Sequence, residues 1–228
     1  MAEIFNENAI AILGGTGDQG LGLALRFAKA RQSVVIGSRK LDRALTAADE
    51  VRSKVPGAQV EGFENSDATA RAGVVILSVP FEHTASTVKA IRDIMRPGQI
   101  LVSMAVPLAT AVGGAAAHML GIWQGSAAEL VASLVPKGVD VVSAFQNVSA
   151  HRLQDLEHEV DCDVIVSAAK EPRQRVMGLC EFIPGLRGID GGPLSNARIV
   201  ESMTALMIGI NMRYKLPEGT GIRITGIA

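Results

Sequence analysis

The sequence predicts an α/β protein: a Rossmann-like doubly wound parallel sheet with a small C-terminal α/β extension ending in a long helix. Three observations predict it. Apolar runs alternate with amphipathic helical stretches from residue 9 to about residue 143, the order of a parallel sheet with crossover helices. The first run opens into a glycine cluster, Gly14-Gly15-Thr16-Gly17-Asp18-Gln19-Gly20, followed at once by a helical pattern. Residues 195–212 form a long helical pattern rich in Ile, Val, Leu and Met.

Each element has a local reason. Residues 9–13 are continuously apolar, as in a central parallel strand. Residues 20–30 place Leu21, Leu25 and Ala28 on one helical face. Strand 34–36 follows, then a charged amphipathic helix over 41–55 closed by Pro56-Gly57. Strands are expected at 59–63 and at 74–79, where Pro80 stops the run. A helix over 84–95 ends at Pro97-Gly98, and strand 100–103, helix 127–134 and strand 139–143 complete the alternation. Beyond that, 151–161 is polar and irregular. Residues 164–166, 173–182 and 186–189 read as strand, helix and strand, and the tail 219–226 has room for one edge strand.

Composition narrows the function classes. The 228 residues are 48% hydrophobic and 20% charged, with 4% aromatics, which fits a well-buried aliphatic core. A formal net charge of −1 provides no field for nucleic acid or a membrane surface. Cys162 and Cys180 match neither a metal spacing nor a disulfide framework, pointing to a reducing, cytoplasmic setting. The start of the chain, Met1 to Glu7, lacks the basic n-region of a signal peptide. The uncharged stretch 99–117 contains Pro107 and Gly113-Gly114 and begins as a strand, so it reads as buried chain rather than a membrane span.

Gly15, Gly17 and Gly20 satisfy the G-x-G-x-x-G spacing between a strand and a helix. The first permits a tight turn, the second lets a pyrophosphate approach the backbone, and the third lets helix and strand pack closely. The helix start aims free N–H groups at phosphate oxygens. At the end of the second strand stand Ser38 and Arg39, where an NAD-preferring site places a carboxylate. A hydroxyl and a guanidinium, with Arg43 one helical turn on, suit the 2′-phosphate of NADP.

Ligands of open α/β sheets lie beyond the carboxyl ends of the strands, which puts 78–83, 105–108 and 144–150 around the nicotinamide. No proton donor is evident there. The only tyrosine, Tyr214, has Lys215 adjacent rather than four residues on, and no lysine lies within 195–212. HExxH, GxSxG and CxxC are absent. His83, at a helix start, is placed to touch cofactor, while His118, His151 and His158 read as surface or structural. No catalytic side chain and no metal ligand is assigned. Such a site suits an acceptor that takes hydride directly, as flavins and deazaflavins do.

Over nearly its full length the chain resembles the NADPH-dependent reductases of the deazaflavin coenzyme F420. The resemblance is carried by residues 13–20, Gly37-Ser38-Arg39, Val79-Pro80-Phe81-Glu82-His83 and Val142-Ser143-Ala144-Phe145. Most specific is Gly192-Pro193-Leu194-Ser195-Asn196-Ala197-Arg198 running into Val200-Glu201-Ser202-Met203-Thr204. It implies an NADP-binding domain over residues 1–150 and a small domain over 151–228 that completes the deazaflavin site and a dimer interface. The reaction implied is reversible hydride transfer between NADP(H) and F420 in a homodimer. By this resemblance Gly15, Thr16, Gly17, Asp18 and Gln19 hold the pyrophosphate, and Ser38, Arg39 and Arg43 the 2′-phosphate. Pro80, Phe81, His83, Ala85, Leu108 and Ala150 line the nicotinamide half. Gln146, Asn147, Val148, Arg198, Ser202 and Thr204 face the deazaflavin. Two departures stand out: Gln146 replaces a histidine common in relatives, and Ser167-Ala168-Ala169-Lys170 replaces a more acidic turn. Two further readings share the NADP half. One is a flavin or other small-acceptor reductase; the other is an NADP(H)-binding redox sensor without turnover.

Overall fold

The computed structural model describes residues 5–227; the first four residues, part of the argument against a signal peptide, lie outside them. β1 (Asn6–Leu13), α1 (Asp18–Lys29), β2 (Val34–Ser38), α2 (Leu41–Lys54) and β3 (Val60–Glu64) form the first half of the sheet. α3 (Asn65–Arg71), β4 (Ala72–Leu77), α4 (Phe81–Ile91), β5 (Ile100–Ser103), α5 (Ala127–Ala132) and β6 (Asp140–Ser143) form the second. The six strands are parallel in the order β3-β2-β1-β4-β5-β6, the doubly wound order with its switch point between β1 and β4.

Alternation along the strands divides the core into two layers. Ile10, Ile12, Val34, Ile36, Ile76 and Val102 face α1 and α2, whereas Ala11, Leu13, Val35, Val75, Leu77 and Leu101 face α4 and α5. The rest of the chain comprises α6 (Ala150–Gln154), β7 (Cys162–Val166), α7 (Lys170–Cys180), β8 (Leu186–Asp190) and the long α8 (Ala197–Tyr214). β7 and β8 pair in parallel, and β7 is joined to β6 where Ser143 and Ser167 exchange backbone hydrogen bonds of 2.9 and 3.0 Å. Leu153, Val160, Val164, Val166 and Val176 belong to the same core layer as α1.

Local differences from expectation have physical causes. α3 fills what reads as a loop; it is only seven residues long and buries just Ala68 and Thr69. α6 occupies the start of the polar stretch because Arg26, a 3%-exposed residue of α1, gathers the carbonyls around its end. Arg26 donates to Leu153 O (2.9 Å), Arg152 O (2.7 Å), His158 O (2.8 Å) and Asp155 O. Gly22 lets α1 approach, since a Cβ there would meet Leu153 Cβ at 2.6 Å. The tail 219–226 carries no strand. It is held by Asp163, whose backbone N–H donates to Ile222 O (2.7 Å) and whose carboxylate accepts from Ile224 N (2.7 Å). No helix of the described residues is long and apolar enough to cross a membrane.

Candidate active site

At the switch point the turn after β1 faces Ser78-Val79-Pro80 after β4. The left-handed residue of that turn is Gly14 (φ +78°), not Gly15, and a Cβ there would strike Ser78 O. Gly15 lies behind the turn, its Cβ position closed by Ile12 O at 2.9 Å. Gly20 performs the packing role: a Cβ would sit 2.7 Å from Gly14 O, so any side chain would push α1 off the turn.

Two halves of one cleft meet at Gly17, Ser78, Val79 and Pro80, enclosing about 420 and 560 Å³. The second half gathers Thr16, Ser38, Arg39, Arg43 and His83, all expected, and adds Lys40 and Asn65. Arg39, Lys40 and Arg43 form no ion pair among the described residues, so this end presents three uncompensated cations. Asn65 Oδ1 is buried there without a hydrogen-bond partner. The residue is missed by motif reading, although its position just past the carboxyl end of β3 was a usable signal.

The first half gathers Asp18, Gln19, Phe81, Leu108, Gln146 and Thr204, with Met104, Ala105 and Ile208 adding apolar wall. Among the described residues, no Lys, Tyr, His or Cys borders it. Phe145 adopts φ +67°, an uncommon conformation for a non-glycine residue. It is fully buried and edge-on to Phe27, centroids 6.5 Å apart. The following Gln146 is thereby turned into the cleft. Gln146 Nε2 donates to Ser143 Oγ (2.9 Å), Gln146 O accepts from Thr204 Oγ1 (3.2 Å), and Gln146 Oε1 makes no hydrogen bond. Gln19 Nε2 donates to Phe145 O and Val148 O, both at 3.1 Å.

Other expected residues stand apart. Ala85 is half-buried on α4 and Ala150 opens α6; neither borders the cleft. Asn147 and Val148 are buried and border a smaller cavity of about 200 Å³ beside Gln19 and Thr204. Asn147 Nδ2 donates to Asp163 O at 2.7 Å. Arg198 and Ser202 lie on the other face of α8, in an outer groove shared with Ile199, Leu206 and Ile122. Glu201 is buried, its carboxylate accepting from Ala127 N (2.8 Å) and Ala128 N (3.1 Å). Burial pushes its pKa up to about 7 against those two hydrogen bonds.

Fold and cleft together define a Rossmann-type α/β protein of the dinucleotide-binding class, with additional α/β elements closing one end of the cleft. The family model described as NADP oxidoreductase coenzyme F420-dependent matches residues 9–107. The chain is 47% identical over 223 residues to the F420-dependent NADP reductase of Methanocaldococcus jannaschii, covering 96% of this chain and 98% of that one. It is 43% identical over 223 residues to the F420-dependent NADP reductase of Methanothermobacter thermautotrophicus, covering 96% and 95%. A solved structure from Arthrobacter sp. FB24 shares the fold with a TM-score of 0.79 at 22% identity, covering 96% of this chain and 100% of that one. The chain belongs to the F420-dependent NADP reductase family.

Proposed function

We propose that this protein transfers a hydride reversibly between NADP(H) and the deazaflavin coenzyme F420. The observation that carries the reading is the polarity of the cleft: three unpaired cations at one end, and at the other a largely apolar wall whose charged members are the carboxylates Asp18 and Glu82, with no Lys, Tyr, His or Cys among the described residues. The residues fit both ligands, since the orphaned oxygens of Asn65 and Gln146 each await a donor.

In this reading Ser38, Arg39 and Arg43, helped by Lys40, bind the 2′-phosphate by charge-assisted hydrogen bonds. Thr16 to Gln19 and the N-terminus of α1 take the pyrophosphate. Pro80, Phe81 and Leu108 border the nicotinamide half, while His83 stands at the cationic end of the cleft and Ala85 and Ala150 stand outside it. NADPH supplies the hydride when bound, and the protein aligns the two rings and excludes water. Gln146 Oε1 accepts from an N–H of the acceptor ring, and Thr204 holds the Gln146 carbonyl; Asn147 and Val148 shape the floor. Arg198 and Ser202, in the outer groove, stand apart from the acceptor half of the cleft.

The same reading treats residues 1–150 as the NADP domain and 151–228 as the part completing the acceptor site. It also places the protein in the cytoplasm, consistent with the free thiols of Cys162 and Cys180. A homodimer is proposed as cover for exposed apolar side chains such as Trp123, Leu206 and Met212. The test is an anaerobic assay with NADPH and F420, with FMN, FAD and riboflavin in parallel, following loss of the oxidised acceptor's absorbance. Fast bleaching of the deazaflavin alone is expected. Turnover of a flavin instead would move the acceptor assignment, and NADPH binding without any turnover would favour a sensor.

A further inference from the structure

α8 reaches the rest of the fold chiefly through α5. Of its five buried residues, Ala197, Val200, Glu201, Ala205 and Met207, only Glu201 is polar. Its carboxylate is 1% exposed and accepts from Ala127 N (2.8 Å) and Ala128 N (3.1 Å), the first amides of α5. The next amide of that turn, Glu129 N, is satisfied by Ser126 Oγ at 3.0 Å, while Ser126 Oγ donates to Glu129 Oε2 at 2.8 Å. Among the described residues nothing else caps Ala127 and Ala128, so these hydrogen bonds set both the rotation and the height of α8 against α5. One turn further along α8, Thr204 Oγ1 donates to Gln146 O at 3.2 Å, and Thr204 and Ile208 face the cleft.

We infer that Glu201 is a positioning residue for the acceptor half of the cleft, holding α8 so that Thr204 fixes the Gln146 loop and Ile208 forms the wall. It touches neither ligand. The inference rests on the proposed reading only for the identity of the acceptor. The ionised carboxylate accepts both amides, whereas a protonated one gives one acceptor oxygen and an unwanted donor. Its raised pKa, about 7, therefore makes the clamp tighten with rising pH. The charged side chain acting on it is Glu129, of the same sign and held by Ser126 on α5.

The experiment compares the full-length wild type with Glu201→Gln, which keeps the shape but opposes an N–H₂ to a backbone N–H. Expected are an acceptor KM raised about tenfold, an NADPH Kd within about twofold of wild type, and faster amide hydrogen exchange at 146–148 and 204–208. A lowered melting temperature with unchanged KM and exchange would overturn the inference, as would equal loss of acceptor and NADPH binding. If the variant fails to fold, the wild type decides: acceptor KM must rise as pH falls through about 7, and a flat profile overturns the inference. If the wild type leaves F420 unreduced, the acceptor reading fails, while hydrogen exchange at 146–148 and 204–208 in the variant still decides the role of Glu201.

Discussion

The side-chain amide of Gln19 donates to the carbonyl of Phe145 at 3.1 Å, tying the phosphate turn at the start of α1 to the loop that presents Gln146. A second hydrogen bond from the same nitrogen, to Val148 O at 3.1 Å, closes the span. The two ligand halves are thus held by one residue. Gln19→Ala should lower stability by about 1–3 kcal/mol, the net worth of two hydrogen bonds. It should raise acceptor KM more than it weakens NADPH. Denaturant melts and steady-state kinetics check this.

Arg39 faces the cationic end of the cleft beside Ser38 and Arg43. Arg39→Asp should weaken NADPH by about 1.5–3 kcal/mol relative to NADH, the scale of a charge-assisted contact. Fluorescence titration of both dinucleotides measures it. Equal weakening would remove the 2′-phosphate assignment.

Asp163 is fully buried between two arginines and the tail. It accepts from Arg187 Nε and Nη2 (2.8 Å each), Arg223 Nη1 (2.6 Å) and Ile224 N (2.7 Å). Arg187 above all holds its pKa well below the ordinary value of 3.8, against the opposing effect of burial. A depressed pKa means stability present above 3.8 and lost as pH falls below it. Asp163→Asn should cost about 1–3 kcal/mol at neutral pH, because two half-exposed guanidinium groups lose their buried anion. The gap to wild type should shrink below pH 4 in acid unfolding curves, and limited proteolysis should release the tail in the variant first.

Glu201 has the opposite sign. Its folded pKa, about 7, lies above the ordinary 4.5, so its contribution is fully present below 4.5 and is lost as pH rises through 7. Relative to Glu201→Gln, the wild type should lose on the order of 3 kcal/mol between those limits, from 1.36 kcal/mol per unit, and then level off. Urea midpoints of both proteins at pH 5, 6, 7 and 8 give the slope directly. The charged clamp that orders α8 is thus maintained at a cost in stability.

The sheet was legible because its central strands are unbroken apolar runs bounded by Gly or Pro, as at Ile10 to Leu13 and Val74 to Leu77, while the edge strand β3 alternates. α3 and α6 were not, since each is too short to establish a period and α6 depends on Arg26, more than a hundred residues away. The tail resembled a strand in composition but is bound through the Asp163 side chain rather than a ladder. At the site, Thr16, Ser38, Arg39 and Arg43 follow strand ends directly, so spacing found them. Ser202 and Thr204 were read as one cluster, yet two residues on a helix are about 200° apart, and the structure sends them to different grooves. Asn65 carried no motif, and Glu201 stood in the most specific block without an assigned role; both are singled out by burial.

Direct transfer between rings aligned by the cleft is open to an isotope experiment. NADPH carrying deuterium at the transferable position of the nicotinamide is mixed anaerobically with the protein and F420, and the reduced deazaflavin is examined by mass spectrometry. The label is expected to arrive in the reduced deazaflavin without exchange with water, because no protein group intervenes. Reduced deazaflavin without the label, or NADPH oxidation without reduction of the deazaflavin, would contradict it.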